Sequence, residues 1–422
     1  MSARTVSPFD MPPARRREIF GWCCFDFANS AFTTIIITTV YAVYFNSVVA
    51  GGNPNGPGWW GSALAVSQIA VIFMSPLLGA VADVTARKKR FLMSSALVCS
   101  LATMSLFFAG PGEVWLALGL VVVANVAFSL GENFCASFLP EISTSATVGR
   151  ISSYGWSFGY LGGLLSLVLA LVIIQSGEGR VPWTLVMTGV FFLLGSLPTL
   201  MLRERVRPRV LAAGETALGL GWRQLARIRR ELPQHRHLAV FFGAMTLYLA
   251  GLSAVVAFAG VFATQVLGMT QSEYIRLFIV LQLAGVAGAY GFGVLQDRVG
   301  AKPALILSLL LWIGVCTWAA VCQTKGEFFV IGVMAGAAMG SLQSSGRAVV
   351  AMLTPAGRSG EFFGYWGFFG KLAAVIGQLT YGWLATFGGF RLAIACNAGF
   401  FLAGLLIIIG LRLKPQVRNQ TS

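Results

Sequence analysis

Apolar runs of about 20 residues recur along the whole chain, separated by short polar breaks rich in Gly, Pro, Asn or clustered Arg and Lys. Each run is long enough to cross about 30 Å of hydrocarbon as a helix. The pattern predicts about twelve helices, starting near residues 20, 58, 91, 114, 150, 181, 237, 273, 303, 327, 361 and 390. Period-two alternation is absent and the runs are too long for barrel strands, so strands are not expected. Composition fits this reading, with 56% hydrophobic and only 11% charged residues. A soluble domain is about 25% charged. The chain reads as an all-α membrane protein. Before Phe20 the sequence is a basic tail with no apolar core, so no cleavable secretion signal is expected.

The formal net charge of +15 raises the question of a nucleic-acid partner, and its placement answers it. With twelve spans and a cytoplasmic N-terminus, Arg180, Arg276, Lys325 and Arg391 are the only bases in outer loops. Arg347 and Lys371 fall inside apolar runs, and every other Lys and Arg lies on the opposite side. This is the positive-inside distribution. It predicts cytoplasmic termini, a cytoplasmic 203–236 segment and residence in a bacterial inner membrane, and it leaves no charge for nucleic acid to explain. The seven cysteines show no paired CxxC spacing and are expected to be buried, inert thiols. His235 and His237 sit in the basic central segment and no histidine falls in a span. No metal, cofactor or enzymatic constellation is therefore expected.

The chain repeats once. Residues 203–236 form the only long polar insertion and divide it into 1–202 and 237–422. "GAVADVTARKK" from Gly79 aligns with "GVLQDRVGAKP" from Gly293, pairing Gly79 with Gly293, Asp83 with Asp297 and Lys88 with Lys302 at one offset. Pro140 and Pro355 follow at an offset one residue larger. Two six-helix bundles in parallel orientation are expected, with a solute site between halves near the midplane.

The repeated loop resembles the signature loop of the major facilitator superfamily. The second copy, with Gly293, Asp297, Arg298, Gly300 and Lys302, is the fuller. The first has Gly79, Asp83, Arg87 and Lys88, but Val84 where a base is usual and Ala86 where glycine is usual. "DFANSAF", "FLPE…GRISSYGWSFGYLGG" from Phe138 and "GRSGEFFGYWGFFGK" from Gly357 resemble the autophagy-related vacuole effluxer-like branch of that superfamily. The resemblance implies a major-facilitator fold of two six-helix halves, gating roles for the two loops and the efflux of amino-acid-like solutes.

Polar residues within the spans carry the functional argument. A central Asp costs about 2.5–3.5 kcal/mol on insertion scales, yet Asp26, Asn29, Ser30 and Thr33 form one helical stripe at i, i+3, i+4 and i+7. Asn125, Ser129, Glu132 and Asn133 repeat that spacing in the fourth span, and Gln343, Ser344 and Arg347 do so in the tenth. Thr246, Tyr248 and Ser253 give the seventh a weaker stripe. Helices 1, 4, 7 and 10 surround the cavity in the fold implied by the resemblance. Glu132 and Arg347 share the larger offset, and Asp26, Glu132, Arg347 and Lys371 all lie roughly 9–15 Å from their cytoplasmic helix ends.

Three readings of these charges stand side by side: a zwitterion site, an inner ionic gate and a structural ion pair. In the first two, Asp26 or Glu132 is a candidate to carry a coupling proton. The glycine stripe Gly155, Gly159 and Gly163 is expected to serve helix packing. The expected function is secondary transport of a small polar or zwitterionic solute by a monomer in a lipid bilayer, with protons as a candidate second partner. A lipid or lysolipid flippase and a non-transporting membrane sensor are the alternatives.

Overall fold

The computed structural model describes residues 13–143, 148–204, 215–353 and 359–411. Among them every regular element is helical: α1 Pro13–Ala31, α2 Tyr41–Tyr44, α3 Gly56–Thr85, α4 Lys88–Ser105, α5 Val114–Ile142, α6 Val148–Gln175, α7 Val181–Ser196, α8 Ala217–Glu231, α9 Arg236–Gln265, α10 Gln271–Val299, α11 Ala301–Val321, α12 Lys325–Leu353 and α13 Ser359–Gly410. The span starts anticipated from hydropathy fall within a few residues of these bounds. Nine segments among the described residues are long and apolar enough to cross a membrane. One of them, 364–410, is two helices turned at Gly389, whose φ of +81° lies in the left-handed region that only glycine adopts freely. With α10 and α12, each 29 residues long, the spans reach twelve.

The first span departs from regular α-geometry. After α1 the chain widens into π-helix over Phe32–Thr39 and again over Phe45–Val49. The β-branched run from Thr33 to Val40 is a poor helix former. The Thr38 and Thr39 hydroxyls donate to the carbonyls of Thr33 and Thr34, five residues back, at 2.9 and 2.6 Å. π-segments cluster at functional sites. This is also the most enclosed span: 78% of its most apolar stretch is buried, against 28–56% elsewhere. The sequence puzzle of Asp26 is thereby resolved, because its helix faces protein rather than lipid.

Two compact units emerge, residues 1–41 with 73–223, and 42–72 with 224–422. The first is cored by aromatic pairs such as Phe25–Phe192 and Phe32–Phe128. The second is cored by Trp312–Phe401 and Phe258–Tyr381. Large apolar side chains left exposed, including Phe73, Trp115, Leu161, Leu283 and Leu406, lie on spans and suit a lipid-facing surface.

The structure corrects two expectations here. Six cysteines are buried, but Cys396 is exposed on α13. A small apolar thiol faces lipid at little cost. The central segment read as a polar insertion contains a helix, α8, because its apolar residues recur at helical spacing among the arginines.

Candidate solute site

Within the first unit, α1, α5 and α6 assemble the acidic residues. Trp22 on α1 donates its indole N–H to the Cys135 carbonyl of α5 at 2.8 Å. That bond seats Asp26, one turn further along α1, beside α5. Glu132 lies one turn before Cys135 on α5. Each acid is thus one turn from the Trp22–Cys135 contact. Both are half-buried, while Asn29, Asn125 and Ser129 are buried. Ser129 Oγ has no hydrogen-bond partner among the described residues. A buried hydroxyl without a partner is costly, so Ser129 is a polar group that packing alone does not explain.

The third wall is α6, and glycine makes it possible. A Cβ at Gly155 would overlap the Asp26 carboxylate, and one at Gly159 would lie 3.0 Å from Ser30 Oγ. A Cβ at Gly162 would collide with the Phe27 carbonyl. Gly155 and Gly159 pack closely against α1 as expected of the stripe, and Gly162 adds a further close approach. Two of the α1 hydroxyls are engaged locally: Ser30 donates to Asp26 O at 2.7 Å and Thr33 to Ser30 O at 3.1 Å. Asn133 donates to Ser75 Oγ on α3 at 2.8 Å. It lines a cavity of about 100 Å³ with Ser75, Gly79, Lys88 and Ser137. The polar stripe of α5 is therefore continuous with the first signature loop.

In the second unit, α12 packs Gly346 against the Tyr248 hydroxyl of α9, where a Cβ would lie 2.8 Å away. Ser345 donates to Gln296 Oε1 on α10 at 2.9 Å. Gln343, Ser344 and Arg347 belong to α12, but their side chains lie outside the described residues. Lys371 is half-buried on α13. The Thr246 and Ser253 hydroxyls bond back to carbonyls of α9, so they explain helix geometry before they explain recognition.

The two signature loops share a device that sequence alignment places one residue off. Ala86 (φ +51°) and Gly300 (φ +90°) are the left-handed turn residues of the two copies. Lys302 donates to the Ile409 and Leu411 carbonyls at 2.9 and 2.7 Å. In the first copy Lys89, not Lys88, does the equivalent, reaching the Leu200 and Leu202 carbonyls at 3.2 Å each. The register slips because Arg87 intervenes between Ala86 and the start of α4, whereas Gly300 itself caps α11. Lys88 instead pairs with Glu141 at the end of α5, at 3.2 Å. Arg87 and Arg298 are exposed, and the side chains of Asp83 and Asp297 and the surroundings of Gly293 lie outside what is described.

Sequence reasoning missed a seam within the second unit. Here the first turns of α3 lie against the part of α13 before Gly389. Gly58 N–H donates to Thr386 Oγ1 and Trp383 Nε1 to Ser62 Oγ, each at 3.1 Å. Gly61 faces the Gln378 carbonyl and Gly382 the Pro57 carbonyl, with no room for a Cβ at either. The seam lies at the end of α3 remote from the signature loop. Its available signal was the glycine pair in "GPGWWGS".

Comparison with known proteins bears on these features. The profile of the family described as "Vacuole effluxer Atg22 like" matches residues 62–421. The chain belongs to this family. A Bacillus subtilis (strain 168) relative, the uncharacterized MFS-type transporter YxiO, is 24% identical over 415 residues, 95% of each chain. Autophagy-related protein 22 of Yarrowia lipolytica is 24% identical over 299 residues, 62% of this chain and 50% of that protein. Among solved structures, the bacterial homolog of the human lysosomal transporter Spinster matches with TM-score 0.69 and 13% identity, covering 95% of this chain and 98% of that one. The human organic anion transporter MFSD10 matches with TM-score 0.66 and 16% identity, covering 94% and 100%. The fold is the major-facilitator fold.

Proposed function

We propose that this protein is a secondary transporter that moves a small polar or zwitterionic, amino-acid-like solute by alternating access. Two six-helix halves, 1–202 and 237–422, rock about the 203–236 linker. The observation that carries this reading is the pair of acids, Asp26 on α1 and Glu132 on α5, each one turn from the Trp22–Cys135 hydrogen bond and sharing their helices with buried Asn29, Asn125 and Ser129. Ionisable groups inside membrane spans mark solute or proton paths. Carboxylates suit an ammonium group. The spans of the second half carry Arg347 and Lys371, bases suited to a carboxylate. The signature loops, through Gly79, Asp83, Arg87 and Lys88 and through Gly293, Asp297, Arg298 and Lys302, act on rocking rather than recognition. Export from the cytoplasm agrees with the effluxer description of the family, and a bacterial inner membrane with cytoplasmic termini agrees with the charge distribution.

Flux of labelled amino acids and of lysolipids into proteoliposomes tests the reading. Amino-acid flux lost in Asp26→Asn or Glu132→Gln is the expected result. Lysolipid movement without amino-acid flux would overturn it in favour of a flippase.

A further inference from the structure

Helix α8, Ala217–Glu231, is not accounted for by transport. At 100° per residue, positions 218, 221, 222, 225, 228 and 229 share one arc, filled by Leu, Gly, Trp, Leu, Ile and a single arginine, Arg229, in the last turn, where a long stem can carry the charge to the headgroups, while Arg223, Arg227 and Arg230 share the opposite arc. In a water-exposed linker such a helix would turn its apolar arc onto protein. Here Leu218 and Trp222 remain 53% and 54% exposed. What docks the helix is the position without a side chain: Gly221 is buried, and a Cβ there would lie 2.8 Å from the Pro76 carbonyl of α3 and 2.9 Å from Leu77 Cα. Trp222 meets the ring of Phe73, at 6.4 Å between centroids. Phe73 is 47% exposed and belongs to a span, so it marks the lipid surface of the protein. The apolar arc therefore opens toward the same medium as Phe73, and Arg223 and Arg230 are exposed on the other arc.

We infer that α8 is an interfacial helix that binds anionic phospholipid headgroups, with Leu218 and Trp222 in the acyl region and the arginines of the opposite arc, exposed at Arg223 and Arg230, supplying the charge for the phosphates. A helix with a strongly basic polar arc and Trp and Leu on the other arc has the character of one lying in the membrane plane. Each basic residue near an anionic surface contributes about a factor of five in partitioning. The binding places the linker between the halves under the control of lipid charge. It is independent of which solute the protein carries.

The test uses the full chain in nanodiscs, with the seven cysteines replaced and a bimane label at Leu218→Cys. In discs containing phosphatidylglycerol, brominated acyl chains should quench the label and aqueous iodide should not. In phosphatidylcholine discs the protection should fall. The triple variant Arg223→Gln, Arg227→Gln, Arg230→Gln should need at least tenfold more phosphatidylglycerol for half-maximal quenching. Inorganic phosphate added to phosphatidylcholine discs should not restore protection. A label equally open to iodide with and without phosphatidylglycerol would overturn the inference. So would quenching unchanged in the triple variant, since headgroup charge would then play no part. Monodispersity on gel filtration confirms that the variants are folded.

Discussion

A single methyl group at Gly382 should loosen the α3–α13 seam without touching the acidic pocket. In Gly382→Ala the new Cβ would lie 2.6 Å from the Pro57 carbonyl and 3.3 Å from both Gly61 Cα and the Phe258 ring. Two of these three neighbours are backbone, so the helices must part by several tenths of an ångström. Overpacking of this kind costs about 1–3 kcal/mol. Alanine also favours helix over glycine by about 1 kcal/mol, but that gain is the same whether the seam is closed or open. It cancels from the ratio. The closed-to-open ratio should therefore fall by a factor of about 5–150. The reporter is Ser62→Cys in a chain whose seven native cysteines are replaced, labelled by a membrane-impermeant maleimide. Labelling should accelerate at least fivefold. Gly119→Ala, at a helical glycine with nothing within 4 Å of the added methyl, should leave the rate unchanged. If Gly382→Ala lowered thermal stability while the labelling rate stayed at the parental value, the seam would not open to the reagent, and the loosening expected at Gly382 would be refuted.

Other consequences concern the first unit and the loops. If Asp26 or Glu132 carries a coupling proton, proteoliposome flux should respond to an imposed pH gradient, and the neutralised variant should lose that response. Unchanged sensitivity in both Asp26→Asn and Glu132→Gln would exclude them. Gly155→Ala drives a methyl into the Asp26 carboxylate, so it should reduce transport strongly while costing about 1–3 kcal/mol in stability; normal flux would show that the position of Asp26 does not matter. Lys89→Met and Lys302→Met each remove two charge-assisted bonds to helix-end carbonyls at partly exposed sites, so each should cost about 1 kcal/mol in thermal unfolding. A matching loss in Lys88→Met but not Lys89→Met would restore the register expected from sequence.

Twelve spans and the internal repeat were legible in the sequence, and the side of each loop is an expectation from it, because each rests on one-dimensional physics. Hydrocarbon thickness sets span length, and positive charge resists translocation. The polar stripe of Asp26, Asn29 and Ser30 was visible for the same reason, since periodicity alone places residues on one helix face. What surrounds that face was not legible. That Trp22 sits beside Cys135 and Asp26 against Gly155 depends on how α1, α5 and α6 approach, and only tertiary packing decides which glycine of a stripe admits a neighbour. The slip from Lys88 to Lys89 has a similar origin. Sequence alignment counts residues, but a lysine is functionally equivalent where its ammonium reaches the helix-end carbonyls, and one extra residue after the turn moves that position. The seam escaped notice because a glycine chosen for backbone contact leaves no chemical signature of its partner. The sequence by itself determined a twelve-span bundle with acids in its interior; the close approach of helices at glycine, set by three-dimensional packing, decided what those acids and the seam touch.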